Sequence, residues 1–254
     1  MDAAADEARA VEPFGFVGLC LSLVGLAILG SLVTLLICGG IALFAGLLMG
    51  WHAMIDATRQ AIAHSNADAG MQGLFVAILA FHLGLAIAIL SAAKWRGKRH
   101  WRDLIGWRPF HLSDKMIWAI MGGALLYSAT AESAMSHFLP HPAVQLTVPT
   151  DPIASVGLFA LAVIFAPLTE ELLFRGWIYT SLRFHWGFWP ALLTTAALFA
   201  FAHYEKTHIY ALAVFPIGLA LGAIRERTGS IKACILFHAL NNFTAFFFSA
   251  LSRG

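Results

Sequence analysis

Long apolar segments, separated by short polar stretches, run through most of the chain. A transmembrane helix needs roughly 20 apolar residues to cross a hydrocarbon core of about 30 Å. Several segments reach or approach that length, and they predict about seven spans. The predicted spans lie near residues 14–50, 73–93, 116–137, 153–170, 188–203, 209–224 and 231–251.

The first of these segments is longer than one span requires. It could form one long tilted helix, or two short helices that break at Gly39 and Gly40. One helix is favoured, because each of two helices would have only about 17 residues and no polar loop would separate them. Two helices would raise the number of spans to eight.

The composition makes a soluble fold untenable. Of the 254 residues, 59% are hydrophobic and 12% are charged, and the mean hydropathy is +0.76. Soluble domains are about half apolar and about one quarter charged. We therefore predict an all-α transmembrane helix bundle that forms one membrane domain over residues 14–251. Residues 1–13 would be an N-terminal tail, 14–152 the first spans and loops, and 153–251 the helices that carry the chemistry.

The distribution of lysine and arginine predicts the orientation. With seven spans, thirteen of these residues fall on one side of the membrane and only Arg59, Lys206 and Arg253 on the other. Cytoplasmic loops carry the excess of basic residues, so the N-terminus is predicted to be cytoplasmic. Residues 94–102 alternate basic residues with tryptophan. A loop at the lipid headgroups explains this stretch better than a nucleic-acid site.

Two adjacent carboxylates, Glu170 and Glu171, lie within an apolar segment. Ionisable groups in a bilayer are costly and indicate a function. Arg175 is four residues beyond Glu171, so the two share a helix face and can pair. Glu170 lies about 100° around the helix and is left free to act as a general base. The structural alternative is that both glutamates pair with Arg175 and hold helices together.

Three more polar residues lie in later spans. His203 stands alone on an apolar helix, where a structural role bonded to a carbonyl is the commoner case. His238 and Asn242 are four residues apart, and paired donors on one face suit an oxyanion site or interhelical hydrogen bonds. Helix rise places Glu170 and His203 at the same depth, roughly 24 Å from their connecting turn, but His238 and Asn242 only roughly 10 to 16 Å deep. His82 and Glu132 are isolated polar residues that could line a cavity.

Together these residues resemble the motifs of a known family. Glu170-Glu171-x-x-x-Arg175, Phe199-x-x-x-His203 and His238-x-x-x-Asn242 are similar to the three motifs of the CAAX-processing and bacteriocin-immunity family of intramembrane proteases. That family includes the Ras-converting endopeptidases. Each motif is weak alone, but three in order within late spans are specific. The resemblance covers residues 153–251, and the first 150 residues contribute only hydropathy.

The resemblance implies an intramembrane endopeptidase that acts on a membrane-associated peptide or lipidated protein. Glu170 and His203 would activate a water molecule, while His238 and Asn242 would stabilise the oxyanion. Glu171 and Arg175 would be structural or would tune Glu170. A catalytic zinc is not favoured. If one were bound, Glu170, His203 and His238 would be its ligands, since zinc takes about three protein ligands plus water.

Two other functions remain open from the sequence. The fold could serve a non-catalytic immunity or peptide-binding protein, in which the same residues only bind. It could also serve a proton-coupled transporter, with Glu170, His203 and His238 as a proton path. No inverted repeat or pair of broken helices supports a transporter.

Overall fold

The computed structural model describes residues 12–63, 67–138, 148–149, 151–204 and 209–251, and within them every regular element is helical. This confirms the predicted all-α class. The helices are α1 Phe16–Met49, α2 Trp51–Ala63, α3 Ala67–Gly97, α4 Trp101–Leu104, α5 Lys115–Phe138, α6 Pro152–Trp186, α7 Phe188–Ala202, α8 Ile209–Thr228 and α9 Ile231–Leu251. A 3₁₀ turn at Lys98–His100 joins α3 to α4.

The first apolar segment forms the single helix that was favoured, because α1 continues without a break through Gly39 and Gly40. Among the described residues, four helices are long and apolar enough to cross a membrane, namely Phe16–Met49, Phe75–Leu104, Pro152–Trp186 and Ile231–Leu251; α7 is apolar but shorter. The total of seven spans stays a prediction.

Small residues allow α1 and α3 to approach closely, as is common between membrane helices. A Cβ atom added at Gly84 would meet the hydroxyl of Thr34 and would lie 2.7 Å from the carbonyl oxygen of Gly30. Most other side chains of α1 face outward, and its buried residues are Leu19, Leu26, Gly30 and Gly46. Leu19, Leu26 and Gly30 lie on one narrow stripe that faces the bundle, whereas Gly46 packs against Trp51 of α2.

The long helix α6 is irregular. It contains π-helical segments at Ala160–Phe165 and Leu172–Ile178, on either side of the α-helical stretch Ala166–Glu171. Pro167 explains the first one, because proline has no N–H to donate and its ring clashes with the carbonyl four residues earlier. Such π segments often occur at functional sites.

The connections rich in arginine and lysine meet at one end of the bundle, which we call the inner end. There the backbone N–H of Ile231 donates to the carbonyl of Gly106 at 2.9 Å. Arg183 contacts Glu226 at 2.8 Å on the same end. Gly187, with φ +84°, makes the tight turn from α6 into α7. The clustering agrees with the predicted charge asymmetry, while the side of the membrane stays a prediction.

Candidate active site

The Glu170 carboxylate faces two histidines that come from other helices. Its Oε2 atom lies 3.8 Å from Nε2 of His203 and 3.9 Å from Nε2 of His238. Among the described residues this oxygen is buried and has no hydrogen-bond partner. Both separations exceed a direct hydrogen bond, but they leave room for a small molecule held between the groups. The helices α6, α7 and α9 thus bring three of the predicted site residues together.

His203 lies at the C-terminal end of α7, where its ring is held by the helix itself. Nδ1 lies 2.8 Å from the carbonyl oxygen of Phe199. A carbonyl can only accept, so Nδ1 carries the hydrogen and the neutral ring has its lone pair on Nε2. That lone pair points toward Glu170. The bond to Phe199 is the structural interaction expected of a lone histidine. It also fixes the tautomer of the ring, with the hydrogen on Nδ1.

Glu171 is fully buried and binds two partners. Arg175 Nη1 donates to its Oε1 atom at 3.1 Å, and Nδ1 of His238 lies 3.0 Å from the same oxygen. Arg175, also fully buried, donates from Nη2 to the carbonyl of Gly218 at 2.9 Å. The predicted pairing of Glu171 with Arg175 is present, and the sequence did not reveal the added bond to His238. Among the described ion pairs, Arg175 has no contact with Glu170.

The bond to Glu171 fixes the orientation of the His238 ring. A carboxylate only accepts, so Nδ1 of His238 is the donor to Glu171. The other ring nitrogen, Nε2, faces Glu170.

The expected depth mismatch between His238 and Glu170 is absent, since their side chains lie 3.9 Å apart. The π-helical segment Leu172–Ile178 accounts for part of this, because it shortens α6 between Glu170 and the inner end. Its hydrogen bonds span five residues rather than four, so each turn holds more residues than an α-helical turn. Glu170 therefore lies nearer the inner end than a regular α-helix would place it.

Asn242 contacts α6 rather than Glu170. Its Nδ2 donates to the carbonyl of Ala162 at 2.8 Å, within the first π-helical segment of α6. An amide nitrogen has two hydrogens, so a second donor remains beyond this bond. The predicted role of Asn242 at the oxyanion stays a prediction.

Phe199 is central to the site, although the sequence marked it only as a motif residue. Its ring is 4.7 Å from the His203 ring and 5.6 Å from the His238 ring, and the guanidinium carbon of Arg175 lies 4.5 Å from its centroid. The side chain is 1% exposed. Its spacing of four residues before His203 is the signal that could have identified it.

His82 approaches the site from α3, which lies outside the resembling segment. Thr169, next to Glu170, donates from its hydroxyl to the His82 carbonyl at 3.2 Å. Nδ1 of His82 is buried and has no partner among the described residues. Sequence spacing could not show this proximity, because it depends on the packing of α3 against α6. The side chain of Glu132 lies outside the described residues.

Glu170, His203 and His238 would be the protein ligands if a zinc ion were bound. Among the described side chains, no group of three histidine, cysteine, aspartate or glutamate residues is arranged to hold a metal ion. Nδ1 of His238 is bonded to Glu171, and its Nε2 faces Glu170. The expectation that no catalytic zinc is bound stays a prediction.

Comparison with known families supports the resemblance. Residues 152–244 match the family model described as type II CAAX prenyl endopeptidase Rce1-like. The match includes all three motifs and ends two residues beyond Asn242. Comparison with curated proteins and with solved structures gave no match.

Proposed function

We propose that this membrane protein is an intramembrane endopeptidase, a proposal supported by the match of residues 152–244 to the family model described as type II CAAX prenyl endopeptidase Rce1-like. It hydrolyses a peptide bond of a lipid-modified or membrane-associated substrate. One observation carries the proposal: Oε2 of Glu170 lies 3.8 and 3.9 Å from the ring nitrogens of His203 and His238, inside an apolar bundle.

The first step is activation of water between Glu170 and His203. Both groups accept hydrogen bonds, since Glu170 is a carboxylate and the Nδ1–H of His203 is used by Phe199. A water molecule held between them directs both hydrogens at the two acceptors and a lone pair at the substrate carbonyl. Glu170 takes the proton as the carbon–oxygen bond forms, which is general-base catalysis.

The second step is stabilisation of the oxyanion. The attacked carbonyl oxygen becomes negative, and a donor aimed at that position lowers the barrier. The imidazolium of His238 donates from Nε2, while Glu171 accepts from Nδ1 and balances its charge. The free N–H of Asn242 is the second donor. When the intermediate collapses, Glu170 returns its proton to the leaving nitrogen as the carbon–nitrogen bond breaks.

An aromatic cluster beside Asn242 suits an apolar substrate. Phe159 packs edge to face against Phe243 at 6.3 Å and against Phe246 at 5.3 Å, between α6 and α9. These rings adjoin the helix turn that carries Asn242, and they offer apolar surface to a lipid chain. The prenylated carboxyl-terminal peptide named by the family is the substrate class that we propose.

The proposal is tested by cleavage of a farnesylated carboxyl-terminal peptide by purified protein. Glu170→Gln keeps the shape of the side chain but removes the base, so we expect loss of cleavage beyond detection. Asp103→Asn is the matched control, because this carboxylate is exposed at the inner end. It should leave the rate unchanged.

Cleavage that persists in Glu170→Gln would overturn the assignment. Tight binding of the peptide without cleavage by the wild-type protein would favour a peptide-binding function instead. An identical peptide without the farnesyl group measures the contribution of the lipid, and we expect its KM to be higher.

A further inference from the structure

A cavity lies at the inner end of α6, beyond the Glu170 site. Its volume is about 420 Å³, and one wall is Pro13 from the N-terminal segment. The other walls are Tyr179, Thr180, Arg183, Phe184, Arg225 and Glu226. None of these residues takes part in the proposed hydrolysis.

Arg225 is the unusual residue of this cavity. It is only 9% exposed, yet among the described residues no carboxylate lies within ion-pair distance of its guanidinium. Its Nε donates to the carbonyl of Arg175 at 3.2 Å, and its Nη2 donates to the hydroxyl of Thr180 at 3.2 Å. Both acceptors are neutral. A buried charge is costly unless an opposite charge compensates it.

Glu226, the neighbouring carboxylate, is already occupied. Arg183 contacts both of its oxygens, with Nε 2.9 Å from Oε2 and Nη2 2.8 Å from Oε1. The hydroxyl of Tyr179 donates to Oε2 at 2.6 Å. Two guanidinium groups and one carboxylate therefore leave one uncompensated positive charge in the cavity walls.

Exposed aromatic residues near this charge indicate that it lies at the level of the lipid headgroups. Phe184, Trp186 and Trp189 are exposed around the α6–α7 turn, as aromatic residues are at a membrane interface. Guanidinium groups bind phosphate oxygens with two hydrogen bonds where geometry allows. We propose that this cavity binds a phosphate group, with Arg225 as its anchor and the headgroup of an anionic lipid as its source.

The experiment measures binding to the purified protein by native mass spectrometry. The probes are dioctanoyl phosphatidylglycerol, dioctanoyl phosphatidylcholine and inorganic phosphate. We expect the anionic lipid to bind at least about tenfold more tightly than the zwitterionic lipid, which is a clear difference in affinity. Arg225→Met should abolish this preference. Arg227→Met is the matched control, because Arg227 is on the same helix but does not line the cavity, and it should keep the preference.

Each outcome decides the proposal. Equal binding of the two lipids without binding of inorganic phosphate would overturn it, as would equal losses in Arg225→Met and Arg227→Met. Saturable binding of inorganic phosphate that depends on Arg225, without lipid preference, would retain the phosphate site and change its source.

A further measurement uses the wild-type protein, so its result does not depend on whether the Arg225→Met variant folds. A photoactivatable phosphatidylglycerol should label the peptide that contains Tyr179 and Phe184, and unlabelled phosphatidylglycerol should compete. Labelling only elsewhere in the chain would also overturn the proposal. Both measurements are made without cleavage, so a failure here is separate from a failure of the proposed peptidase activity.

Discussion

The helices α1 and α6 are almost equal in length, with 34 and 35 residues, and both are apolar enough to cross a membrane. They differ in what they bury. α1 buries only two leucines and two glycines, whereas α6 also buries Thr169, Glu171 and Arg175. Both helices satisfy the hydrophobic requirement of the bilayer. Of these two helices, only α6 carries buried charged residues. Their free-energy cost in a membrane is lowered when they are paired.

The backbones of the two helices differ in the same way. α1 is a continuous α-helix, whereas α6 contains two π-helical segments. The carbonyls of Ala162 and Arg175, one in each π segment, accept side-chain bonds from Asn242 and Arg225. A helix that mostly faces outward, such as α1, can therefore be regular. The carbonyls that bind Asn242 and Arg225 lie where α6 is irregular.

The largest effect on stability should come from breaking the buried ion pair of α6. Arg175→Met leaves Glu171 buried without its main cation, and we expect a loss of about 3–5 kcal/mol. Thermal unfolding in detergent measures this change. The double variant Glu171→Gln with Arg175→Met removes both charges and should recover much of the loss. A double variant as unstable as Arg175→Met alone would show that packing, not charge, is responsible.

Removing only the charge of Glu171 should lower catalysis as well as stability, because Arg175 is then buried without its counter-ion. Glu171→Gln can still accept from His238 and Arg175, but it no longer balances the imidazolium. We expect kcat to fall about 10- to 100-fold with KM nearly unchanged, because the donor acts mainly in the transition state. Steady-state cleavage of the farnesylated peptide tests this. A change in KM alone would assign Glu171 to substrate binding.

Substitutions in the α1–α3 contact should lower stability without altering the chemistry. Gly84→Ala places a methyl group against Thr34 and Gly30, and such overpacking costs about 1–3 kcal/mol. Thermal unfolding should show the loss, while kcat of the folded fraction stays at the wild-type value. Gly39→Ala is the control, because a Cβ atom there meets nothing within 4 Å. A large fall in kcat for Gly84→Ala would couple this contact to the site.

The smallest effect should come from the exposed ion pair at the inner end. Arg227 donates to Asp114 at 2.6 and 3.0 Å, and these bonds hold the pKa of the Asp114 carboxyl below its ordinary value. The ion pair therefore contributes its full stabilisation at pH values above the pKa that Asp114 has in the unfolded chain. This contribution is lost as the pH falls through the lower pKa of Asp114 in the folded protein. Asp114→Asn should reduce the acid sensitivity of unfolding slightly, as measured by melting curves across acidic pH. An unchanged acid profile would show that the pair contributes nothing.

Much of the candidate site was predictable because burying polar and ionisable residues in a membrane costs free energy. Glu170, His203 and His238 stood out by chemistry and spacing, and the structure brings all three together. The proximity of His82 was not predictable, because it depends on packing between α3 and α6. The expected difference in depth does not keep the His238 and Glu170 side chains apart, and the sequence did not show the π-helical segment after Glu171 that shortens α6.

By itself, the sequence determined that the chain forms a membrane helix bundle and which polar residues it must bury, because hydropathy and the cost of buried charge are properties of composition and order. Tertiary structure decided how those residues are partnered. Glu171 binds both Arg175 and His238, while Oε2 of Glu170 has no hydrogen-bond partner among the described residues. That division arises because adjacent residues face different neighbours on a helix, and only packing determines which neighbours those are.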